Sequence, residues 1–349
     1  MIKDKSIFIK NIYYMLSYAF TELKQGGYED IAAEEFENMH NLLAAILMKG
    51  IGKQLKQGLY REYLNHKNDV ITVRGKIDMP GTISHQMTRK RMLTCQYDEL
   101  SENNLLNQIL KTTILLLLRH SRVDQEYKDN LKKEMMFFSN VDVLEPKLIR
   151  WSAIRFQRNN STYRMLIGLC QLILEGMLLT TDSGERRLAS FFDEQRMNRL
   201  YEKFIFEYYT KECPQVKAAA AQIPWALDDS IGTMLPIMQS DIMLTKGNKV
   251  LIIDAKYYTH TTQTFYDVHT LHSGNLYQIF TYVKNKDAEF GNRPHTVSGM
   301  LLYAATDEAI QPDNSYQMSG NRISVQTLDL NQDFSKISKK LDTIAAEYL

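Results

Sequence analysis

The sequence predicts an α/β protein. A mixed sheet flanked by helices occupies its second half, and an α+β region with a small strand-rich segment precedes it. Three observations carry this. From residue 194 onward the pattern runs helix, two strands, helix, two strands, helix, the order expected of a sheet covered by helices. The run Val250 to Ile253 is apolar on both faces of a strand, as central buried strands are. Residues 60–95 switch to strand-like alternation between helical segments.

Taken in order, residues 7–23 (IFIKNIYYMLSYAFTEL) read as a core helix because of their aromatic load, and residues 36–57 as another. The stretch REYLNHKNDVITVRGKIDMPGTI alternates as strands do, with Pro80-Gly81 read as a turn pair. A basic cluster, Thr88-Arg89-Lys90-Arg91, follows and suits either a solvated turn or a contact with DNA or a protein. Residues 103–119 and 125–138 read as helices, and 164–179 as a strongly apolar one. Asp182-Ser183-Gly184 is the best linker candidate, with residues 155–161 (RFQRNNS) as a rival. The expected domains are therefore 1–183, with its strand-rich segment at about 60–95, and 184–349. In the second domain, helices are expected at 194–211, 274–285 and 333–348. Strands are expected at 237–245, 249–257, 299–305 and 322–328.

A length of 349 residues suits two domains better than one. The composition, 44% hydrophobic and 24% charged, is that of an ordinary soluble protein. A net charge of +1 gives no global basic signal, so contact with nucleic acid must come from local patches or from a partner. Cys95, Cys170 and Cys213 are far apart, which argues against a disulfide framework and fits a reducing, cytoplasmic setting. The start, MIKDKS, has no signal-peptide core, and the most apolar stretches are too short or too interrupted to span a bilayer. No GxxxxGK(S/T), GxSxG or HExxH is present, so nucleotide hydrolysis by this chain, serine hydrolase chemistry and zincin chemistry lack their motifs.

The segment from Asp241 to Lys256, DIMLTKGNKVLIIDAK, is where chemistry concentrates. Val250, Ile252, Asp254 and Lys256 alternate onto one face of a strand, and Leu251, Ile253 and Ala255 onto the other. Lys246-Gly247-Asn248 signals a hairpin from a second short strand at 241–245. A two-residue turn at Gly247-Asn248 pairs Lys246 with Lys249 and so sets Asp241 opposite Asp254. Cross-strand Cβ atoms lie about 4.5–5.5 Å apart, where two like charges are unfavourable unless a cation lies between them. Magnesium, which accepts one or two carboxylates with phosphate oxygens and waters, suits that place, and Lys256 on the same face suits a scissile phosphate or an attacking water. An isolated DxK is also what an ordinary solvent-facing hairpin carries. The apolar strand and the matching acid favour the metal site.

Other residues can join it. In NLYQIFTYV, Leu276, Ile279, Phe280 and Val283 form the apolar stripe of a helix, while Gln278 and Tyr282 share a different face and either approach a phosphate backbone or rim the core. Glu202 and Glu207 flank the apolar face of the 194–211 helix, and Glu202 is the preferred third acid. His269 and His272 are spaced for zinc, but no cysteine or third histidine stands nearby, so DNA contact or helix capping by His272 is the better reading.

Asp241 with Asp254-Ala255-Lys256, after an apolar strand and before Gln278-x-x-x-Tyr282, resembles the PD-(D/E)xK nuclease superfamily, the last element its RecB-like branches. Ser240 stands where that pattern has proline, and Asp254 where glutamate is commoner. NIYYMLSYA at 11–19, Arg74-Gly75-Lys76-Ile77-Asp78, the helix beginning at Asn103 and LIIDAKYY at 251–258 are similar to the McrC family, nuclease subunits of McrBC modification-dependent restriction systems. The likeness runs over most of the chain.

The resemblance implies a restriction-endonuclease-like fold for 184–349 and a partner-binding role for 1–183, with segment 60–95 engaging the partner. That partner is a McrB-like AAA+ GTPase hexamer, which binds the GTP, recognises the base and translocates. The chain would stimulate GTP hydrolysis and cut double-stranded DNA carrying methylated cytosine, leaving a 5′-phosphate. Asp241 and Asp254, with Glu202, would hold Mg²⁺, or Mn²⁺ in its place, and the Ala255 carbonyl would add a ligand. Lys256 would position or help deprotonate the water, and Gln278 and Tyr282 would orient the backbone. One site cuts one strand, so a double-strand break requires two copies. A stand-alone repair nuclease and a non-catalytic adaptor with a relic nuclease fold stay open as other classes.

Overall fold

The computed structural model describes the chain except residues 1–2, 5–6, 26, 29, 32–33, 35, 157–160, 182–193, 230, 259–261, 266–267, 307 and 309–310. The linker candidate Asp182-Ser183-Gly184 lies outside the described residues, as do residues 157–160 of its rival.

Two compact units form, Met1–Leu42 with Asp182–Leu349, and Leu43–Thr181. They differ from the two expected segments because the first 42 residues join the second half of the chain. The cause is specific. Buried Asn11, on the helix Ile9–Ala19, donates to the Leu330 carbonyl at 2.8 Å and the Gln332 carbonyl at 2.7 Å. On the same helix, Tyr18 packs edge-on against Phe204 at 5.5 Å and donates to Glu212 at 2.7 Å. Of the tyrosines in NIYYMLSYA, Tyr18 thus packs on the helix Glu194–Glu212, while Tyr14 stacks on Phe334 at 4.4 Å.

The unit Leu43–Thr181 holds the helices Leu105–Arg119, Gln125–Met135 and Ser161–Thr181, with a three-stranded antiparallel sheet in which Leu93–Ser101 lies between Glu62–Val70 and Lys76–Ile77. Pro80-Gly81 is not a turn. It lies in the first turn of the helix Met79–Met87, where proline is tolerated, and the Asp78 carboxylate caps that helix by accepting from Gly81 N at 3.1 Å. Gly75 has φ 68°, and a Cβ there would lie 2.4 Å from the Gln96 carbonyl, so RGKID needs its glycine. The Asn104 and Asn107 amides both donate to the Tyr60 carbonyl at 2.8 Å, which ties the sheet's first strand to the Leu105–Arg119 helix.

The other unit is built on a six-stranded mixed sheet. Its order is Asn314–Met318, Asn321–Leu328, Thr296–Ala304, Lys249–Lys256, Ile242–Lys246, Lys217–Ala219. The three strands Lys249–Lys256, Thr296–Ala304 and Asn321–Leu328 are mutually parallel neighbours, and the others join antiparallel. Lys249–Lys256 is central, and its residues from Val250 to Ala255 are buried. The edge strands 217–219 and 314–318 and the paired strands Thr262–Phe265 and Val268–Leu271 lie where the sequence predicts no strand.

Helix Ser273–Ala288 covers the face bearing Val250 and Ile252, with Ile279, Tyr282 and Val283 in one apolar cluster with them. Gly299 permits this closeness, because a Cβ there would meet Val283 Cγ2 at 2.7 Å and Ile279 Cγ1 at 2.9 Å. Leu251, Ile253 and Ala255 alternate to the opposite face and are also buried. The helices Glu194–Glu212 and Phe334–Tyr348 contact the central strand and are joined to each other, Tyr209 Oη donating to the Leu341 carbonyl and Tyr208 Oη to Asp342. No helix among the described residues is long and apolar enough to cross a membrane.

Candidate active site

The hairpin register fixes the site. Lys246 pairs with Lys249 across Gly247-Asn248, and pairing runs to Ile242 with Ile253. Gly247 has φ 62°, the left-handed conformation this turn requires. The ladder stops one residue short of Asp241. Ser240 is drawn away instead, its N–H and hydroxyl both bonding the Ala221 carbonyl, at 3.0 and 3.2 Å. The Ala255 N–H on that strand edge is therefore left for the Asp241 carboxylate, which accepts it at Oδ2 over 3.2 Å. The turn predicts Asp241 paired with Asp254, but the strand pairing ends at Ile242 with Ile253, and the Asp241 side chain reaches instead the Ala255 N–H next to Asp254.

Lys256 completes the group. Its Nζ lies 3.0 Å from Asp254 Oδ1 and 3.8 Å from Asp241 Oδ2. The Asp254 side chain is 1% exposed, and the Lys256 side chain 12%. Among the described residues neither Asp254 oxygen has a hydrogen-bond partner; the ammonium is an ion-pair neighbour outside hydrogen-bond geometry. Burial pushes the Asp254 carboxyl above the ordinary carboxylate range and the Asp241 charge adds to this, while Lys256 opposes it. For Lys256, burial alone would lower the ammonium, but the charges of Asp254 and Asp241 outweigh it and raise it.

Glu202 is the acid on the Asp241 side. Burial first, then the Asp241 charge, push its carboxyl up to about 7. Glu207 instead pairs with Lys211 at 3.1 Å on its own helix. A residue the sequence did not single out, Asn198, donates to Glu202 Oε1 and accepts from Tyr257 N at 2.7 Å. Beside Lys256 on the neighbouring strand stands Tyr303, whose hydroxyl receives Asn275 Nδ2 at 3.0 Å, and Asn275 Oδ1 accepts from Tyr258 at 3.3 Å. These too escaped sequence reading, because each depends on contacts across the sheet.

Gln278 and Tyr282 share one side of the helix over this face, as their i, i+4 spacing predicts, and Tyr282 rims the core there. Its ring belongs to the apolar cluster, and its hydroxyl accepts from Gln278 at 2.9 Å. Both are thus engaged with each other rather than with the Asp254 group. His272 stands at the N-cap position of that helix, but its side chain makes no capping hydrogen bond there, and its ring lies 5.3 Å from that of Tyr258. The backbone of His269 lies in the strand Val268–Leu271. Thr88–Arg91 follows the Met79–Met87 helix, with Arg89 at φ 55° and exposed side chains from Thr88 to Arg91.

Among the described residues no three His, Cys, Asp or Glu side chains already converge as a metal cage. Magnesium does not need one, since it takes one or two carboxylates and keeps waters and phosphate oxygens. A buried carboxylate with no hydrogen bonds, a second carboxylate beside it and a strand edge at Ala255 are a donor set that fits Mg²⁺ or Mn²⁺. In an extended strand a residue's N–H and carbonyl point to the same edge. The Ala255 carbonyl therefore faces the side from which its N–H meets Asp241.

A model of the family described as "McrBC 5-methylcytosine restriction system component" matches residues 4–304. The Escherichia coli (strain K12) protein described as type IV methyl-directed restriction enzyme EcoKMcrBC is 27% identical over 345 residues, covering 98% of each chain. A solved half-complex of Thermococcus gammatolerans McrB AAA+ hexamers with bound McrC includes a chain similar to this one. Their TM-score is 0.52 at 19% identity, covering 95% of this chain and 76% of that one, a likeness of fold.

Proposed function

The chain belongs to the McrBC 5-methylcytosine restriction system component family, and on that premise we propose that it is the subunit that cuts DNA, using Mg²⁺ or Mn²⁺ held at Asp241 and Asp254. The observation that carries this is Asp254, a carboxylate buried without a hydrogen bond among the described residues, in contact with Lys256 and beside Asp241. A fold gains little from such a group, since an ion pair with Lys256 that no hydrogen bond supplements barely repays the cost of burying its charges. A divalent cation and a phosphate give it a purpose.

Asp241 and Asp254 would hold the metal, with the Ala255 carbonyl and Glu202 on the same side, and the metal when bound supplies Lewis-acid activation of a phosphodiester and a more acidic water. The Ala255 N–H keeps Asp241 turned toward that place. Lys256, anchored between the two acids, positions the attacking water and offers positive charge to the phosphate oxygens as it develops in the transition state. Gln278 and Tyr282 form a linked pair that stiffens the covering helix and presents the Gln278 amide toward the DNA backbone.

The partner in this reading is a McrB-like AAA+ GTPase hexamer that binds GTP and recognises modified cytosine in double-stranded DNA. The segment 60–95 supports this, because it exposes Ile71 (82%), Met87 (81%) and Tyr63 (72%), apolar surface of the kind that marks a protein interface. One site per chain implies two copies for a double-strand break. The cytoplasm, where the DNA and GTP are, is the setting. In the reconstituted complex, Asp254→Ala and Lys256→Ala should each lower cleavage of methylated DNA by more than about 100-fold, the size expected for an essential charge-stabilising group. Partner binding and GTPase stimulation should persist. Cleavage at the wild-type rate by Asp254→Ala would overturn the assignment, and cleavage of plain DNA by the chain alone would favour a stand-alone nuclease.

A further inference from the structure

The central strand runs past the point where its hairpin partner turns away, and this leaves the N–H groups of Ala255 and Tyr257 on an edge that no strand among the described residues pairs. Buried N–H groups must be met by some acceptor. Asp241 Oδ2 takes the first at 3.2 Å, and Asn198 Oδ1 takes the second at 2.7 Å. Asn198 spends its other end on Glu202, to whose Oε1 its Nδ2 donates. The two residues are i and i+4 on the helix Glu194–Glu212, so one side chain both grips the strand and holds the carboxylate a turn further on. A carboxamide can accept from a backbone N–H through its oxygen and donate to a carboxylate through its nitrogen at once. Glu202 makes no other hydrogen bond among the described residues, so Oε2 stays available.

We propose that Asn198 is a positioning residue of the cleavage site, which presents Glu202 as a third carboxylate beside Asp241 and fixes the backbone immediately after Lys256. The proposal rests on the metal-site reading above. Asn198 touches neither Asp241 nor Asp254 in any hydrogen bond and acts through Glu202 and Tyr257 alone. Groups that orient metal ligands in this way commonly change affinity 10–100-fold, roughly, when removed.

The test uses the full chain with Mn²⁺ alone as probe, titrated by calorimetry, and amide hydrogen exchange read at Tyr257. Asn198→Ala, Glu202→Gln, the double variant and Asp254→Ala are compared with the wild type. Alanine suits a helix, and urea unfolding checks that each variant is folded. Asn198→Ala should weaken Mn²⁺ binding about 10-fold or more and speed exchange of the Tyr257 amide. Glu202→Gln should weaken binding without speeding that exchange, and the double variant should bind no worse than Glu202→Gln. If the wild type binds Mn²⁺ and Asp254→Ala loses it, yet Asn198→Ala binds as the wild type does, the role of Asn198 falls while the metal site stands. The same follows if Asn198→Ala costs as much in the Glu202→Gln background as alone. If the wild type takes up no Mn²⁺, the metal-site reading falls and this inference with it.

Discussion

Gly299→Ala tests how the covering helix is seated. A Cβ at this position would stand 2.7 Å from Val283 Cγ2 and 2.9 Å from Ile279 Cγ1. Carbon atoms pack comfortably at about 3.5–4.0 Å, so the helix Ser273–Ala288 must yield by roughly 0.8–1 Å. Neither neighbour is a flexible chain end; both are β-branched and buried. Such overpacking costs about 1–3 kcal/mol. Replacing glycine inside a strand would otherwise gain about 0.5–1 kcal/mol through the unfolded chain. The expected net loss is therefore about 1–2 kcal/mol by urea unfolding. Val283→Ala in the same chain removes the tighter contact, so the double variant should lose less than the two single losses added together, by about 1 kcal/mol. Cleavage should fall as well, because Gln278 and Asn275 ride on the displaced helix. A Gly299→Ala protein as stable as the wild type, or strictly additive losses, would refute the seating described.

Asn11→Ala leaves the Leu330 and Gln332 carbonyls without their donor and should cost about 2–3 kcal/mol, measured by urea unfolding; an effect below about 0.5 kcal/mol would separate residues 1–42 from the unit to which they are assigned. His295 receives contacts that favour its protonated form, the Arg293 carbonyl first and then the Asp287 carboxylate at 2.9 Å, so its pKa lies above the ordinary 6.5. A raised folded value means that this contribution to stability is complete below about 6.5 and is lost as pH rises through the folded pKa. Proton NMR titration should show the elevation, and Asp287→Asn should lower it; an unchanged midpoint in that variant would exclude the pairing.

The hairpin at the centre of the site was legible because its information is local. Gly247-Asn248 specifies the turn, and the turn length specifies the register from Lys246–Lys249 to Ile242–Ile253, which leads up to Asp241 and Asp254. The apolar run Val250 to Ile253 announced a central strand for the same reason. What escaped depends on long-range contacts. Asn198 meets a backbone N–H 59 residues away, and Asn11 bonds a carbonyl 319 residues away. Neither side chain differs by type from a solvated amide. Tyr282 flanks the apolar stripe in sequence, and it is buried because Gly299 lets its helix lie close enough to widen the covered face. Pro80-Gly81 reads equally as a turn or as a helix start, and the Asp78 cap decides between them. The edge strand 314–318 is mostly exposed, so no burial pattern marked it.

The metal site is tested most directly by anomalous diffraction from crystals of the chain grown or soaked with Mn²⁺. A single strong peak is expected between the carboxylates of Asp241 and Asp254, on the side of the Ala255 carbonyl, and it should vanish in Asp254→Ala. An Mn²⁺ peak elsewhere in the unit, or none beside Asp254 at millimolar metal, would contradict the assignment of these two acids as the metal-holding pair.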